Sequence, residues 1–285
     1  MLVTGGSGYL GDWVVRLARD AWDVTATCFS HAPDAPGATW RRLDLRDAEA
    51  VTALVNSVQP AVIVHTAAAN PGPAADFEAV NVDGTRHIAG AAARVGARLI
   101  HVSTDVIFDG ERGAYTEADV PHPITDYGRS KAAAEAEVRA SGVESVTVRT
   151  SLIYGWRPRL DRNTRWILES LRTGTAISLF TDELRNPIWV ESLAAALVEL
   201  AGLACVGALN VAGAQVLSRY ELGVRLARFH GADPAPIIAA SSRESGLVRP
   251  LDCTLDLSRA RRLLKTPLPG VDDVTHSSWV IDHAA

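Results

Sequence analysis

The stretch VTGGSGYLGDW, Val3 to Trp13, places glycines at positions 5, 8 and 11. A clipped apolar run, Leu2–Thr4, precedes them. A segment with apolar residues at helical spacing (Leu10, Val14, Leu17 and Ala21) follows. Three glycines at intervals of three are a weak signal alone, because a purely structural turn from strand to helix also uses them. What they mean depends on whether the rest of the chain supplies what a nucleotide grip needs.

The first half alternates strand and helix patterns. WDVTATCF (22–29) is strand-like and HAPDAPGA (31–38) is a Pro/Gly loop. WRRLDL (40–45) is a strand, and DAEAVTALVNSV (47–58) a helix with acids in its first turn. AVIVHTAA (61–68) is a continuous apolar strand, Ala75 to Val95 a helix, and RLIHVSTDVIF (98–108) the next strand. A helix over Asp126–Ala140 and a strand SVTVRTSLIY (145–154) complete this half. Near-continuous apolar strands are buried on both faces, as in parallel sheets. Strands that alternate with helices imply right-handed crossovers and a doubly wound sheet. The expected fold is therefore α/β, a doubly wound parallel Rossmann-type sheet with a smaller mixed C-terminal substrate lobe. The glycines then occupy the first strand-to-helix turn, the context a dinucleotide fingerprint requires. Gly5 allows the tight turn, Gly8 the approach of a pyrophosphate, and Gly11 close packing of helix on strand.

Beyond about residue 155 the alternation weakens. GALNVAG (207–213) and PIIAA (236–240) read as short strands of the smaller lobe, and RYELGVRLARFHG (219–231) as a helix ending at Gly231. NPIWVESLAAALVELAGL (186–203) reads as a helix returning to the main sheet. The expected division is a dinucleotide-binding domain at 1–155 and a discontinuous, mainly substrate-binding lobe at 156–285.

Composition narrows the function. The 285 residues are 47% hydrophobic and 21% charged, with a net charge of −5. Such a chain has no basic excess with which to neutralise nucleic-acid phosphates. The three cysteines, Cys28, Cys205 and Cys253, show no paired spacing and read as buried thiols of a reduced cytoplasm. No apolar run reaches about 18 residues, so no membrane span is expected, and no charged segment leads into an apolar run as in a signal peptide. The eight histidines show no metal-ligand spacing, so no metal site is expected.

DYGRSK places Tyr127 and Lys131 four apart on one helix face. A cation beside a phenol favours the phenolate and suits a proton donor for a carbonyl under reduction. Ser103 and Thr104 end the preceding strand, where ligands of open α/β sheets bind. The order of glycine turn, hydroxyl at a strand end and Tyr-x-x-x-Lys helix is more telling than any one part.

VTGGSGYLG, VSTDVIFDG, YGRSK and RTSLIYG together resemble the extended short-chain dehydrogenase/reductases, and most closely the dTDP-4-dehydrorhamnose reductase family. GALNVAGAQVLSRYELGVRLAR and RPLDCTLDLSRARRLL resemble the C-terminal segments of that family, so the likeness covers nearly the whole chain. The resemblance implies that Thr104 polarises a keto oxygen and that Tyr127 donates the proton. It implies that Lys131 lowers the Tyr127 pKa and holds the nicotinamide ribose. Gly5, Ser7, Gly8, Tyr9, Leu10 and Gly11 would hold the cofactor phosphates, and Asp44 and Leu45 the adenine. Thr66, Ala67 and Ala68 would line the cofactor, and Asn70 and Asp105 the substrate sugar. Val106 stands where the family often has tyrosine, and Leu152 where an aromatic is common; both affect the sugar pocket.

Cofactor choice is read at the end of the second strand. Cys28, Phe29, Ser30 and His31 include no acid to bind a ribose 2′-hydroxyl, which favours NADP(H) and leaves NAD(H) open. Arg41 and Arg42 are either near that ribose or an exposed strand end. Arg157, Arg159, Arg162, Asn163 and Arg185 are candidates for a substrate diphosphate clamp, with Arg185 first, against a solvated-surface reading. Trp156 and Trp166 either stack on a base or pack in the core. The expected activity is NADPH-dependent reduction of a nucleotide-activated 4-keto-6-deoxyhexose, in a chain that could form a homodimer. The rival readings are a nucleotide-sugar epimerase or dehydratase and a non-catalytic NADP-binding subunit, such as the family's partner of methionine adenosyltransferase. A dehydratase usually carries Asp-Glu after the threonine, and STDVIF has no Glu.

Overall fold

The structure is a computed structural model that describes residues 1–31, 37–72 and 75–276. Residues 32–36, the middle of the expected Pro/Gly loop, lie outside the described residues.

The apolar run at the N-terminus forms β1 (Leu2–Thr4), whose three residues are fully buried. The chain continues through α1 (Tyr9–Ala18), β2 (Thr25–Cys28), β3 (Thr39–Arg42), α2 (Ala48–Val58) and β4 (Val62–His65). A π-helical turn over Glu78–Asp83 leads into α3 (Gly84–Val95), where one continuous helix was expected. Then come β5 (Arg98–Thr104), α4 (Asp126–Ala140) and β6 (Ser145–Thr150), with α4 on its expected bounds. Local chemistry starts these helices. The Asp47 side chain accepts from Ala50 N–H to cap α2, and the Thr125 hydroxyl accepts from Gly128 N–H to cap α4.

The strand expected over 145–154 breaks after Thr150. Ile153–Tyr154 forms a separate strand, β7. Next come α5 (Arg162–Arg172), β8 (Ile177–Phe180), β9 (Leu184–Arg185), β10 (Ile188–Trp189) and α6 (Val190–Ala201). The chain ends its described part with β11 (Gly207–Asn210), β12 (Leu217–Ser218), α7 (Arg219–Phe229), β13 (Ile237–Ala240), α8 (Ser258–Leu263) and α9 (Val271–His276).

Among the described residues the main sheet has seven strands in the order β11-β6-β5-β4-β1-β2-β3, every neighbour parallel. Successive side chains of each strand serve opposite cores. Val3, Val64 and Ile100 pack with Val14 and Val15 of α1 and Leu193 and Leu197 of α6. Leu2, Ile63 and Leu99 pack with Val51, Val55, Ile88 and Val138 on the other face. That double burial is why these strands are apolar at consecutive positions rather than alternating.

One expectation about the smaller lobe is corrected. The strand read at 207–213 is β11, and it pairs parallel with β6 at the edge of the main sheet. The helix read at 186–203 does return to that sheet as α6, while the smaller lobe holds α5, α7 and the β8–β13 pair around Ile167, Ile177, Leu179 and Ile237. Helix α5 was not expected, because its sequence is polar. The Asp161 side chain caps it, accepting from Asn163 N–H at 2.9 Å and Thr164 N–H at 3.0 Å.

No helix among the described residues is long and apolar enough to cross a membrane, and no cluster of three or more His, Cys, Asp or Glu side chains among them could hold a metal ion. The chain leaves β1 toward β2 and β3, then crosses to β4 on the other side. The crevice outside the carboxyl ends of β1 and β4 is therefore the place where a sheet of this topology takes a ligand.

Candidate active site

The glycine turn closes the lower end of that crevice. Gly5 has φ +68°, a left-handed conformation that favours glycine. Its N–H donates to Thr27 Oγ1 at 3.1 Å, and Gly8 N–H donates to the Gly5 carbonyl at 2.9 Å. A Cβ on Gly11 would lie 2.2 Å from the Gly5 oxygen, so only glycine lets α1 sit this close to the turn. Gly8 is exposed and heads α1 with no side-chain cap, leaving the first N–H groups of the helix directed at the crevice. This cradle fits a cofactor pyrophosphate.

Two substitutions separate the roles of these glycines. Gly11→Ala is expected to cost about 1–3 kcal/mol through overpacking, read as a lower Tm. Gly8→Val is expected to lose cofactor affinity in calorimetric titration, because its branches would project into the cradle, with a smaller loss of Tm than Gly11→Ala, since its Cβ would lie 3.0 Å from the Gly5 oxygen against 2.2 Å for Gly11. Unchanged affinity in folded Gly8→Val protein would make the turn structural only.

A cavity of about 830 Å³ extends from this turn. Its walls bring together Gly5, Ser7, Gly8, Tyr9, Leu10 and Gly11, then Asp44 and Leu45 after β3, and Thr66, Ala67, Ala68 and Asn70 after β4. Thr104, Asp105, Tyr127, Lys131, Asn163 and Arg185 complete the expected set. Ser30 and His31 are exposed and do not line the cavity. The end of β2 contributes Thr27 and Phe29 instead, and Arg46 stands across from them. Arg46 grips Asp44, with Nη2 to Oδ2 at 2.6 Å, and lies 5.6 Å over the Phe29 ring. Its hydrogen bonds hold the Asp44 carboxyl below the usual range. Arg41 and Arg42 are exposed and do not line the cavity.

Thr104 ends β5, and its hydroxyl donates to Asp105 Oδ1 at 3.2 Å. Asp105 is buried; its Oδ2 accepts from Ser151 Oγ at 2.6 Å and lies 3.6 Å from Arg185 Nε. Burial pushes the Asp105 pKa up against those partners. Tyr127 and Lys131 share one face of α4, as their spacing predicts. The expected lowering of the Tyr127 pKa by Lys131 is not what the structure shows. Burial, reinforced by Asp105, pushes the phenol up to about 12, and the opposing cation is Arg162 at the start of α5. Lys131 Nζ donates to the Val102 carbonyl at 2.8 Å, with His101 Nε2 at 3.5 Å. Burial pushes the ammonium down to about 8, opposed by Glu135 one turn on.

Beneath Lys131 lies a layer that sequence reasoning missed. His65 and His101 stack with ring centroids 5.4 Å apart. His65 holds Thr4 Oγ1 at 2.6 Å and Thr85 Oγ1 at 3.1 Å. Burial, then the Lys131 charge, pushes His65 down to about 3, so it is neutral at ordinary pH. Asn81 in the π-helical turn was also missed; it accepts from Ala69 N–H at 2.7 Å and donates to Ser130 Oγ at 3.0 Å, tying the β4 loop to α4. A π turn interrupting a helix was the only local oddity there, and its sequence carries no distinctive pattern.

The clamp candidates separate. Arg162 lines the cavity and donates to the Pro71 carbonyl at 3.3 Å. Arg159 donates to the Ser7 carbonyl at 3.4 Å. Arg157 pairs with Glu191 at 3.1 Å and does not line the cavity. Arg185 reaches the wall, but its guanidinium is engaged by the carbonyls of Leu184, Leu251 and Pro250, which makes it a structural tie. Glu183, Arg219 and Arg249 were missed and stand beside it on the cavity wall. Trp156 packs against Trp189 and Phe229 with ring centroids 4.3 Å away in each case, a core role, and Trp166 is exposed.

Residues 1–276 match the family described as the RmlD substrate binding domain. The chain is 29% identical over 286 residues to the probable low-salt glycan biosynthesis reductase Agl14 of Haloferax volcanii, covering 95% of this chain and 94% of that protein. It is 32% identical over 257 residues to dTDP-4-dehydrorhamnose reductase of Mycobacterium tuberculosis, covering 86% and 80%. It is also 28% identical over 282 residues to methionine adenosyltransferase 2 subunit beta of Bos taurus, covering 92% and 82%. The crystal structure of a hypothetical dTDP-4-dehydrorhamnose reductase from Sulfolobus tokodaii superposes with a TM-score of 0.81 at 29% identity, covering 96% of this chain and 98% of that one. With its full described length matched and the glycine turn, Thr104, Tyr127 and Lys131 gathered on one cavity, the chain belongs to the RmlD substrate-binding domain family.

Proposed function

We propose that this chain is an NAD(P)H-dependent reductase of the keto group of a nucleotide-activated 4-keto-6-deoxyhexose. The observation that carries the reading is one continuous cavity joining the glycine cradle to the Thr104–Tyr127–Lys131 group. A nicotinamide cofactor held by the glycine cradle would supply the hydride for the carbonyl carbon. Thr104 hydrogen-bonds the keto oxygen and fixes its position. Tyr127, whose phenol is raised to about 12, is protonated at neutral pH and gives its proton to the oxygen as negative charge develops there. Lys131 would hold the ribose of the cofactor. The relatives named as reductases support this chemistry. The relationship to a methionine adenosyltransferase subunit raises the other reading, a binding subunit without turnover. The presence of all three reactive residues on the cavity favours the reductase.

The test is oxidation of NADPH, and of NADH, in the presence of dTDP-4-dehydrorhamnose and a UDP-linked 4-keto-6-deoxyhexose. Turnover that requires the keto sugar supports the reading. Tight cofactor binding without turnover of either sugar would overturn it in favour of the binding subunit.

The alkaline limb of cofactor binding should belong to Lys131. Its ammonium, held near 8, is protonated below that pH and neutral above it. NADPH affinity is therefore expected to be full at pH 7 and to fall as pH rises through about 8, well before Tyr127 ionises. Fluorescence titration across about pH 6.5–9.5 reads this. Lys131→Met should bind weakly at every pH with no limb; a limb that survives the substitution would assign it to another group.

A further inference from the structure

The buried layer beneath Lys131 takes no part in the chemistry proposed above, and one of its rings is only half satisfied. In register across the sheet, Thr4 of β1 stands beside His65 of β4, His65 beside His101 of β5, and His101 beside Thr147 of β6. His65 is satisfied at both ring nitrogens by the hydroxyls of Thr4 and Thr85. His101 is fully buried and differs. Its Nδ1 has no hydrogen-bond partner among the described residues, and its Nε2 faces Lys131 Nζ at 3.5 Å.

An ammonium carries three donors and no acceptor. Lys131 lines the cavity and gives one donor to the Val102 carbonyl at 2.8 Å. A second meets His101 Nε2. That nitrogen accepts only when the ring is neutral with its proton on Nδ1; a proton on Nε2 would set donor against donor. Nδ1 is unpartnered in either tautomer, so its cost is common to both and the ammonium decides between them. Protonation of the whole ring is opposed by its burial, then by Lys131 and His65. At 3.5 Å the contact is longer than an ordinary hydrogen bond. It is a lone pair facing a buried charge, and such a dipole acts more strongly there than in water. The other groups around Lys131 are Tyr127 and Glu135, one turn before and after it on α4, with Glu135 paired to Arg149 of β6, and His65 stacked on His101. The π-helical turn and α3 also pack on α4 but direct their charged groups elsewhere. Asp83 pairs with Arg86, His87 binds the Leu45 carbonyl, and Glu78 is exposed. Glu135 thus acts on the ammonium through charge and His101 through a lone pair. We propose that His101 is a positioning residue: protonated on Nδ1, it offers Nε2 to the Lys131 ammonium and leaves the third N–H for the cavity. The use made of that N–H rests on the reductase reading, and the contact itself rests on geometry.

The test reads Lys131 directly. The chain has two lysines, Lys131 and the exposed Lys265, so the ε-carbon spectrum of the ¹³C-lysine-labelled full chain holds one resonance of interest and one reference. Followed across about pH 6–11, the Lys131 resonance should titrate near 8 in the unmodified protein. His101→Met keeps much of the length and volume and removes the acceptor. It should lower the Lys131 midpoint by about one pH unit, the scale of a lost hydrogen bond to a charge. His101→Gln offers an amide oxygen where Nε2 stood and should titrate as the unmodified protein does. The alkaline limb of NADPH affinity should follow the midpoint in each variant. A second measurement needs no variant: at neutral pH the ¹⁵N ring signals of His101 should show the proton on Nδ1. The proposal is overturned by a Lys131 midpoint that His101→Met leaves in place, or by a His101→Gln midpoint that follows His101→Met. A proton on Nε2 of the unmodified protein overturns it as well. A midpoint that depends on His101 in a protein that turns over no keto sugar would uphold the contact and overturn the reductase reading instead.

Discussion

Tyr127→Phe is expected to lower keto-sugar-dependent NADPH oxidation by about 10²- to 10⁴-fold, the usual scale for a lost general acid. The substitution removes one oxygen. Among the described residues that hydroxyl has no hydrogen-bond partner, so its loss leaves no buried group unsatisfied and Tm should hardly move. The ring contact with Phe77, at 5.7 Å between centroids, is kept. Cofactor affinity should also survive, because Lys131 and the glycine turn are untouched. Single-turnover kinetics with pre-bound NADPH isolates the chemical step. A variant that keeps most of its rate would place the acid elsewhere and remove the mechanism proposed above.

Breaking the buried ion pair under the same helix should have the largest effect on stability. Glu135 of α4 and Arg149 of β6 are 1% and 4% exposed at their side chains and meet at 2.9 Å between Nη2 and Oε2. Arg149 Nε bonds both carboxylate oxygens, at 3.2 and 3.3 Å, and its guanidinium lies 5.3 Å over Phe108. Glu135→Gln leaves a desolvated guanidinium without its counter-charge and is expected to cost about 3–5 kcal/mol in denaturant unfolding. Replacing both, Glu135→Leu with Arg149→Met, should recover most of that loss, because a buried pair gives back its Coulomb energy as desolvation cost. A double variant no better than the single one would show that the pair contributes net stability. The pair also reaches the active site. Glu135 is the charge that opposes the burial of Lys131, so Glu135→Gln should move the alkaline limb of cofactor binding to lower pH.

The clearest sequence features were those set by neighbouring residues. The helix over Asp126–Ala140 stands on its expected bounds, because a threonine cap and an i, i+4 pattern are local. The glycine turn, the alternation of buried strands with helices and the placement of Thr104 at a strand end follow from the same short-range rules. Steric detail separates the glycines: a Cβ would meet backbone at 2.7 Å on Gly5 and 2.2 Å on Gly11, while on Gly8, exposed at the crevice, it would lie 3.0 Å from the Gly5 oxygen.

Sequence reasoning failed where the deciding contact is distant in the chain. β11 has the strand pattern that was read at 207, but only its hydrogen bonds to β6, more than fifty residues earlier, decide which sheet it joins. Helix α5 is polar on most faces, and its cap at Asp161 was the one local signal, with Ile167 and Leu171 packed toward the small lobe. Arg185 matches a phosphate ligand in type, yet three carbonyls from residues 184, 250 and 251 take up its donors. Ser30 and His31 follow the second strand and are exposed, and the position of Arg46, 5.6 Å over the Phe29 ring, could not be read from spacing. Sequence alone determined the doubly wound sheet, the glycine turn at its first strand end and the placement of Tyr127 and Lys131 on one helix face, because spacing on one strand, turn or helix specifies them. Only the tertiary structure decided which cations are spent and which are free, how far Lys131 and Tyr127 are shifted by burial, and that Glu183, Arg219 and Arg249 meet on one wall. Charge and desolvation are summed over neighbours in space, and those neighbours are far apart in sequence.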